Sequence, residues 1–294
     1  LIEARRVALV RCDYMRKIEF QTVVDAAKEL CARSASDLPA DVERALAAAR
    51  AREISPAGAE ILDALLENAR VARDEKRPIC QDTGVAVFFI EKGAEAVVAG
   101  GTLTDAVNEG VRREYEEAFL RKSIVRGPLD RVNTKDNTPA VIHLEEVPGD
   151  RIRIRFMAKG GGCENMSRLA MLTPAEGRDG VIRFVVGAVD AAGANPCPPI
   201  VVGVGMGGTF EVAALLAKKS LFREIGSPNP DPALETLEKE ILEKINNLGI
   251  GPQGMGGVTT ALAVHVLSHP CHIASLPVAV NIECHAHRSA EVVL

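Results

Sequence analysis

The sequence predicts an α+β protein, with helices and sheets mixed in one large domain and any metal site assembled from distant loops. Three observations lead there. Helical and strand-like stretches follow one another without strict βα alternation. No internal repeat, low-complexity tract or flexible linker interrupts them, and 294 residues suffice for one large domain or two small ones. Seven cysteines are scattered along the chain without a CxxC pair, which excludes zinc ribbons, thioredoxin-like motifs and ferredoxin runs on spacing. A metal site can then be built only by the fold.

Composition narrows the class further. Hydrophobic residues make up 47%, aromatics 3%, and tryptophan is absent, so the core is predicted to rest on Val, Leu, Ile and Ala. A net charge of -5 with no Lys/Arg block argues against a nucleic-acid surface. No apolar run reaches the roughly 18 residues expected of a membrane span. An odd number of widely spread cysteines without an export signal argues against a disulfide framework. The expected address is cytoplasmic. Leu1–Tyr14 lacks the apolar stretch of a signal peptide and reads as an upstream extension, with Met15 as the start of a single domain over 15–294.

Taken in order, residues 20–75 read as helical. Ser55-Pro56 supplies an N-cap and a proline at the first helical position, and Ile61, Leu62, Leu65, Leu66 and Ala69 form a buried stripe. Pro78 disfavours helix just before it, so the helix should end near Lys76. The loop Pro78-Ile79-Cys80-Gln81-Asp82-Thr83-Gly84 then abuts a strand over Val85–Ile90. A polar cluster set against a rigid strand is a common place for chemistry, although Asp82 and Gly84 equally suit an ordinary turn. Thr102–Leu120 reads as a helix ending in Arg121-Lys122-Ser123, and the Asn133–Pro139 stretch as a surface turn.

Ala140–Val147 and Arg151–Phe156 read as strands; in the second, Ile152, Ile154 and Phe156 alternate with arginines, the period of a half-buried strand. It leads into Lys159-Gly160-Gly161-Gly162-Cys163-Glu164-Asn165. Three successive glycines are costly unless the backbone bends or approaches something closely. Ser167–Leu172 is predicted to begin a helix and Val181–Val189 to form a strand.

The most distinctive stretch is Asn195-Pro196-Cys197-Pro198-Pro199, followed by an apolar run and a glycine-rich turn. The prolines place Cys197 on a stiff non-helical loop, where a thiolate could hold a metal. A buried cysteine at a strand edge is the simpler alternative for that loop alone. Gly203, Gly205 and Gly208 match a dinucleotide pattern, but no βαβ return strand with an acidic ribose partner is expected. Helices are predicted over Glu211–Phe222 and after Asp231-Pro232, the latter with a stripe of Leu234, Leu237, Ile241, Ile245 and Leu248. Val258–Val266 is predicted to open a helix and Ile273–Ile282 to form a strand, before Glu283-Cys284-His285-Ala286-His287-Arg288.

The loops at Cys80, Cys197 and Cys284 each pair a thiol with polar neighbours at an element boundary. Thiolates select iron–sulfur clusters, zinc or copper. Together with Lys159–Asn165 and Gly249-Ile250-Gly251-Pro252-Gln253-Gly254, these motifs resemble class I iron–sulfur fumarate hydratases. More closely they resemble the α subunit of the two-subunit form, which is related to the L-tartrate dehydratase α subunit. The resemblance runs in order from Met15 to Leu294.

It implies a [4Fe–4S] cluster held by Cys80, Cys197 and Cys284, and reversible hydration of fumarate to (S)-malate at the iron without a cysteine ligand. Substrate-contact positions carry over to Gln81, Asp82, Arg121, the glycines Gly160, Gly161 and Gly162, and His272. Asp82 and His272 are the candidates for proton transfer or for orienting water, although His272 equally suits a structural role. Cys163 departs from the serine of many fumarases. It fits a harmless replacement, a tartrate-dehydratase-like trait, or a fourth thiol near the cluster. Cys12, Cys31 and Cys271 are assigned to packing or surface.

The resemblance further implies a separate β subunit carrying the remaining substrate cations, in an α/β assembly that is doubled, or a homodimer of this chain. Neither nucleic acid nor membrane is expected as a partner. L-tartrate or another hydroxydicarboxylate is the alternative substrate. A metal-binding scaffold subunit is the alternative of another class, and the polar neighbours Gln81, Asp82 and Arg121 argue against it.

Overall fold

The computed structural model describes residues 15–294. The Leu1–Tyr14 extension and Cys12 lie outside the described residues. Along the chain come β1 (Arg16–Glu19), α1 (Phe20–Ser36), α2 (Ala40–Arg52), α3 (Pro56–Glu75), β2 (Val85–Gly93), β3 (Ala96–Ala99) and α4 (Leu103–Glu117). Then follow β4 (Val141–Val147), β5 (Ile152–Lys159), the single turn α5 (Gly161–Glu164), β6 (Arg168–Leu172), α6 (Gly177–Ala192) and β7 (Ile200–Gly207). The chain closes with α7 (Phe210–Ser220), α8 (Pro232–Asn246), β8 (Ala261–His269), β9 (Leu276–Glu283) and β10 (Ser289–Val293). This is an α+β fold, as the sequence predicts.

Two compact units emerge. One takes in the described residues up to Ala35 together with Thr83–Ala158 and Ser289–Leu294; the other is Ser36–Asp82 with Lys159–Arg288. Because each unit is drawn from separated segments, no linker in the sequence marks a boundary.

In the first unit a four-stranded sheet runs in the order β10-β5-β2-β4, with β10 antiparallel to β5 and β2 parallel to β4. Ile152, Ile154 and Phe156 of β5 are buried as their alternation requires, and join Phe88 and Ile90 of β2 in one core. The helices α1 and α4 close that core with Val23, Val24, Leu30, Val107, Val111 and Tyr115. Gly110 lets the two helices approach closely, since a Cβ there would lie 2.6 Å from both Ala27 Cβ and the Val24 carbonyl.

In the second unit a sheet of order β6-β9-β7-β8 is antiparallel except for the β7–β8 pair. Val202 and Val204 of β7 pack, with Val264, Val266, Val278, Val280 and Ile282, against the apolar stripes of α6 and α8. The other face takes α7 through Ala213, Ala217 and Ala279. Gly203 and Gly205 face α7: a Cβ on Gly203 would lie 2.1 Å from the Ala217 carbonyl, and one on Gly205 2.0 Å from the Ala213 carbonyl. These glycines of the dinucleotide-like pattern therefore serve close strand–helix packing. Gly205→Ala is expected to cost about 3 kcal/mol of unfolding free energy, read as a lower urea midpoint.

A third cluster in this unit is built by the α2–α3 hairpin. Ser55 caps α3 by accepting from the Gly58 amide at 3.3 Å, and Lys76 ends it in a left-handed conformation at φ 52°. Leu46, Leu62, Ala69 and Ile79 pack with Ala286, and Cys80 and Cys284 border the same cluster.

Four sequence expectations are corrected. Val181–Val189 belongs to a helix, α6: its valines suggest a strand, but Val181, Ile182, Val185 and Val189 fall on one helical face and are all buried. Ser167–Leu172 is largely the strand β6, paired along β9 from Arg168↔Val280 to Leu172↔Leu276. Val258–Val266 leads into the strand β8, whose core positions are buried on both faces and so lack the alternation that marks a half-buried strand. A parallel return strand after β7 does exist, because the chain passes through α7 and α8 before β8 pairs with β7. Among the described residues no helix is long and apolar enough to cross a membrane.

Candidate metal centre and active site

The Cys80, Cys197 and Cys284 loops all belong to the second unit, and three separate features bring them together. Ile79 and Cys80, at the exit of α3, pack with Ala286 and Cys284, at the exit of β9. The Cys197 loop is tied to the residue after Cys284: the Cys197 carbonyl lies 3.0 Å from His285 Nδ1. The glycine-rich loop after α8 braces both, because Gln253 donates from its amide (2.7 Å) and its side chain (2.8 Å) to the Pro198 carbonyl. Gln253 Nε2 also lies 3.1 Å from His285 Nδ1.

Cys197 itself stands at φ +56°, a region costly for a residue with a Cβ and held by its surroundings. Its thiol is pushed up by burial and then by the nearness of Cys284 and Cys80. None of the six described cysteines is in a disulfide.

Beside the thiols the glycine turn makes a polar corner. Asp82 Oδ2 accepts from the Gly161 amide at 2.8 Å. A Cβ on Gly160 would lie 3.5 Å from the same oxygen, and one on Gly162 would lie 3.4 Å from the Asn195 carbonyl. The turn thus lies between the Asp82 loop and the Asn195–Cys197 loop. Gln81 is exposed, and its Oε1 accepts from Cys80 Sγ at 3.4 Å.

Several residues of this corner went unnoticed in the sequence. Lys159, just before the glycines, is 1% exposed and pairs with Glu283 Oε1 at 3.0 Å and Glu164 Oε2 at 3.4 Å, while donating to the Ile282 carbonyl at 2.7 Å. Burial alone would lower the Lys159 ammonium, but Glu283, Cys163 and Glu164 raise it above its ordinary value. Burial would likewise raise Glu164, but Lys159 and Lys218 hold it below the usual carboxylate range. Cys163 is buried beside Cys284, and the nearness of that thiol, with burial, pushes the Cys163 thiol up. The Cys163 thiol in turn pulls the Cys284 thiol down against its burial. The pairing of Lys159 with Glu283 had no signal in the sequence; a lysine ending an apolar strand was the nearest hint.

Not every expected residue joins this corner. His272 is exposed on the turn before β9, whereas Cys284 follows its last residue. The eight residues of β9, with a rise of about 3.3 Å per step, put roughly 23 Å between the two ends. Within one chain His272 therefore stands apart from the thiols, lining an apolar groove with Met206, Leu234, Leu237 and Ile273. Arg121 belongs to the first unit, where its carbonyl accepts from Thr83 Oγ1 at 2.8 Å. Buried Asn137 steadies that loop by accepting from the Ser123 amide at 2.7 Å and donating to the Gly84 carbonyl at 3.2 Å. The Asn133–Pro139 stretch, expected to be a surface turn, thus braces the loop that bears Arg121.

The donor set suits a polynuclear group better than a single ion. Among the described residues, one group of His, Cys, Asp or Glu brings its ligand atoms all within 4.8 Å: Cys163, Glu283 and Cys284. Cys80 and Cys197 are outside that group, and Glu283 is already neutralised by Lys159. Three thiols on a wider spacing, next to buried N–H donors that find no acceptor on Arg288, fit an anionic iron–sulfur cluster.

The sequence pattern of the fumarate hydratase (Fumerase) family matches residues 24–293. A Methanocaldococcus jannaschii protein with the provisional name L(+)-tartrate dehydratase subunit alpha is 43% identical over 274 residues, 91% of this chain and 96% of its own. L(+)-tartrate dehydratase subunit alpha of Escherichia coli K12 is 36% identical over 255 residues, 85% of this chain and 84% of its own. The Shigella sonnei protein of that name matches to the same extent, 36% over 255 residues. The chain belongs to the fumarate hydratase family, a family of hydro-lyases.

Proposed function

We propose that this chain is the α subunit of an iron–sulfur hydro-lyase that hydrates fumarate reversibly to (S)-malate, and that Cys80, Cys197 and Cys284 hold its [4Fe–4S] cluster. The observation that carries the reading is the meeting of three thiol loops, far apart in sequence, beside Asp82 and the glycine turn. A cluster bound through three cysteines supplies a Lewis acid at its remaining iron, able to polarise a substrate hydroxyl or carboxylate.

The chain's own residues do the rest. Asp82, its Oδ2 fixed by the Gly161 amide, takes a proton from the methylene carbon adjacent to the carbon that loses the hydroxyl, so that the C–H pair becomes the double bond, or returns it in the reverse direction. Gln81 and the turn amide of Gly162 orient the dicarboxylate, and Arg121 is the cation for one of its carboxylates. His272 would reach the same substrate only from a second copy of the chain, in keeping with a doubled assembly. The relatives are named as α subunits, which supports a β subunit supplying further substrate cations.

Asp82→Asn is expected to lower kcat by about 10²–10⁴-fold with iron content unchanged, assayed on the chain with its β subunit. Loss of iron in that variant would point to a structural role for Asp82. The second reading, L-tartrate as substrate, is favoured by the names of the relatives. Initial rates on malate, fumarate and L-tartrate with the same α/β preparation decide between them. A metal-binding scaffold predicts no turnover of any of the three.

A further inference from the structure

Two cations are buried near the thiols, and the fold treats them differently. Lys159 is matched by Glu283, Glu164 and a backbone carbonyl. Arg288, 2% exposed and among the largest fully buried side chains, has its Nε and Nη1 buried with no hydrogen-bond partner. A guanidinium is charged at every working pH and carries five N–H donors. Burying one with donors unmet is among the costliest arrangements a fold can hold, and such a group calls for an acceptor.

Its position indicates where that acceptor belongs. Arg288 follows Cys284 by one short turn of chain and ends the second unit. Its Nη2 lies 4.0 Å from the point a Cβ on Gly160 would occupy, and Asp82 Oδ2 lies 3.5 Å from that point. The guanidinium and Asp82 thus flank the same glycine.

We propose that Arg288 is the cationic clamp of the bound iron–sulfur cluster, donating Nε–H and Nη1–H to sulfur acceptors that the cluster brings. The assignment rests on the cluster reading of Cys80, Cys197 and Cys284. The guanidinium is satisfied in the loaded protein, and its charge offsets part of the negative charge of the thiolates and sulfides. Hydrogen bonds to cluster sulfurs and nearby charge set the reduction potential, so Arg288 tunes and retains the cluster as well as accommodating it.

The test uses the full chain with its β subunit, in wild-type, Arg288→Met and Arg288→Lys forms. Three readouts are taken: urea unfolding of the metal-free protein, the cluster's midpoint potential, and the rate of iron loss to a chelator. Metal-free R288M should be at least as stable as metal-free wild type, because two buried N–H donors without a partner have gone. Loaded R288M should show a lower potential, with the reduced-to-oxidised ratio at fixed potential falling about tenfold, equivalent to 59 mV for one electron. Its iron should be lost several-fold faster, and R288K, which keeps the charge without the planar fork, should fall between the two.

A metal-free R288M that unfolds far more easily, with potential and iron loss unchanged, would overturn the proposal in favour of a purely structural arginine. Unchanged potential and iron loss with weakened malate binding would reassign Arg288 to a substrate carboxylate. A wild-type protein that takes up no iron removes the cluster and the clamp together. Iron-loaded wild type beside an unaltered R288M removes the clamp alone.

Discussion

Replacing any one of Cys80, Cys197 or Cys284 by serine is expected to abolish the cluster and the hydro-lyase activity together. Each thiol comes from a different loop: the exit of α3, the proline-bounded loop before β7, and the exit of β9. Serine is a far poorer ligand than a thiolate for iron of this kind, and two remaining anchors leave the cluster open to exchange. Iron per chain should fall from about four to a small fraction of that in every variant, while far-ultraviolet dichroism stays that of the wild type. Cys163→Ser is the informative control. Cys163 is buried and turned to the Pro196 carbonyl, with Sγ to O at 3.6 Å, and a serine hydroxyl can make the same bond. Full iron in Cys163→Ser excludes a fourth thiol ligand; loss of iron comparable to the other three would make Cys163 one of the anchors.

Lys159→Met is expected to destabilise the metal-free chain by about 3–5 kcal/mol, the largest purely structural effect anticipated. Lys159 and Glu283 are each 1% exposed on their side chains and lie 3.0 Å apart. Removing the ammonium leaves Glu283 charged and buried with no compensation, and Glu164 keeps only Lys218, at 2.5 Å, as a cation. The double variant K159M/E283Q should regain much of the loss, since a neutral amide costs far less to bury than a lone carboxylate. Urea unfolding of the four members of this cycle reads the coupling directly. Equal losses in K159M and in the double variant would show that the pair contributes through packing rather than charge.

How much was legible in the sequence depended on the kind of signal. The helix α3 was readable because its cap, its first-turn proline and its 3–4 spacing agree. The strand β5 was readable because burial on one face forces strict alternation. The cysteine loops stood out because prolines and glycines bound them and remain visible whatever the tertiary structure. Elements buried on both sides were not legible: the valines of α6 and the apolar run of β8 carry little periodicity, and β-branched content alone assigned the first wrongly.

The site divides in the same way. Cys80, Cys197, Cys284, Asp82 and the glycines were identified by motif, and the structure brings them into one corner. Lys159, Glu283 and Arg288 were missed because charged residues default to the surface in any pattern argument. Their burial is a property of the folded unit. His272 shows the opposite limit, since a motif assigns a residue to a site without indicating whether one chain can bring it there.

The central claim is that this chain carries a [4Fe–4S] cluster on three cysteines, and metal analysis tests it most directly. Iron and acid-labile sulfide should be measured on the anaerobically reconstituted chain together with its β subunit. The account predicts about four of each per α chain, with zinc at background. Zinc at one per chain, or no iron after reconstitution with the partner present, would contradict it.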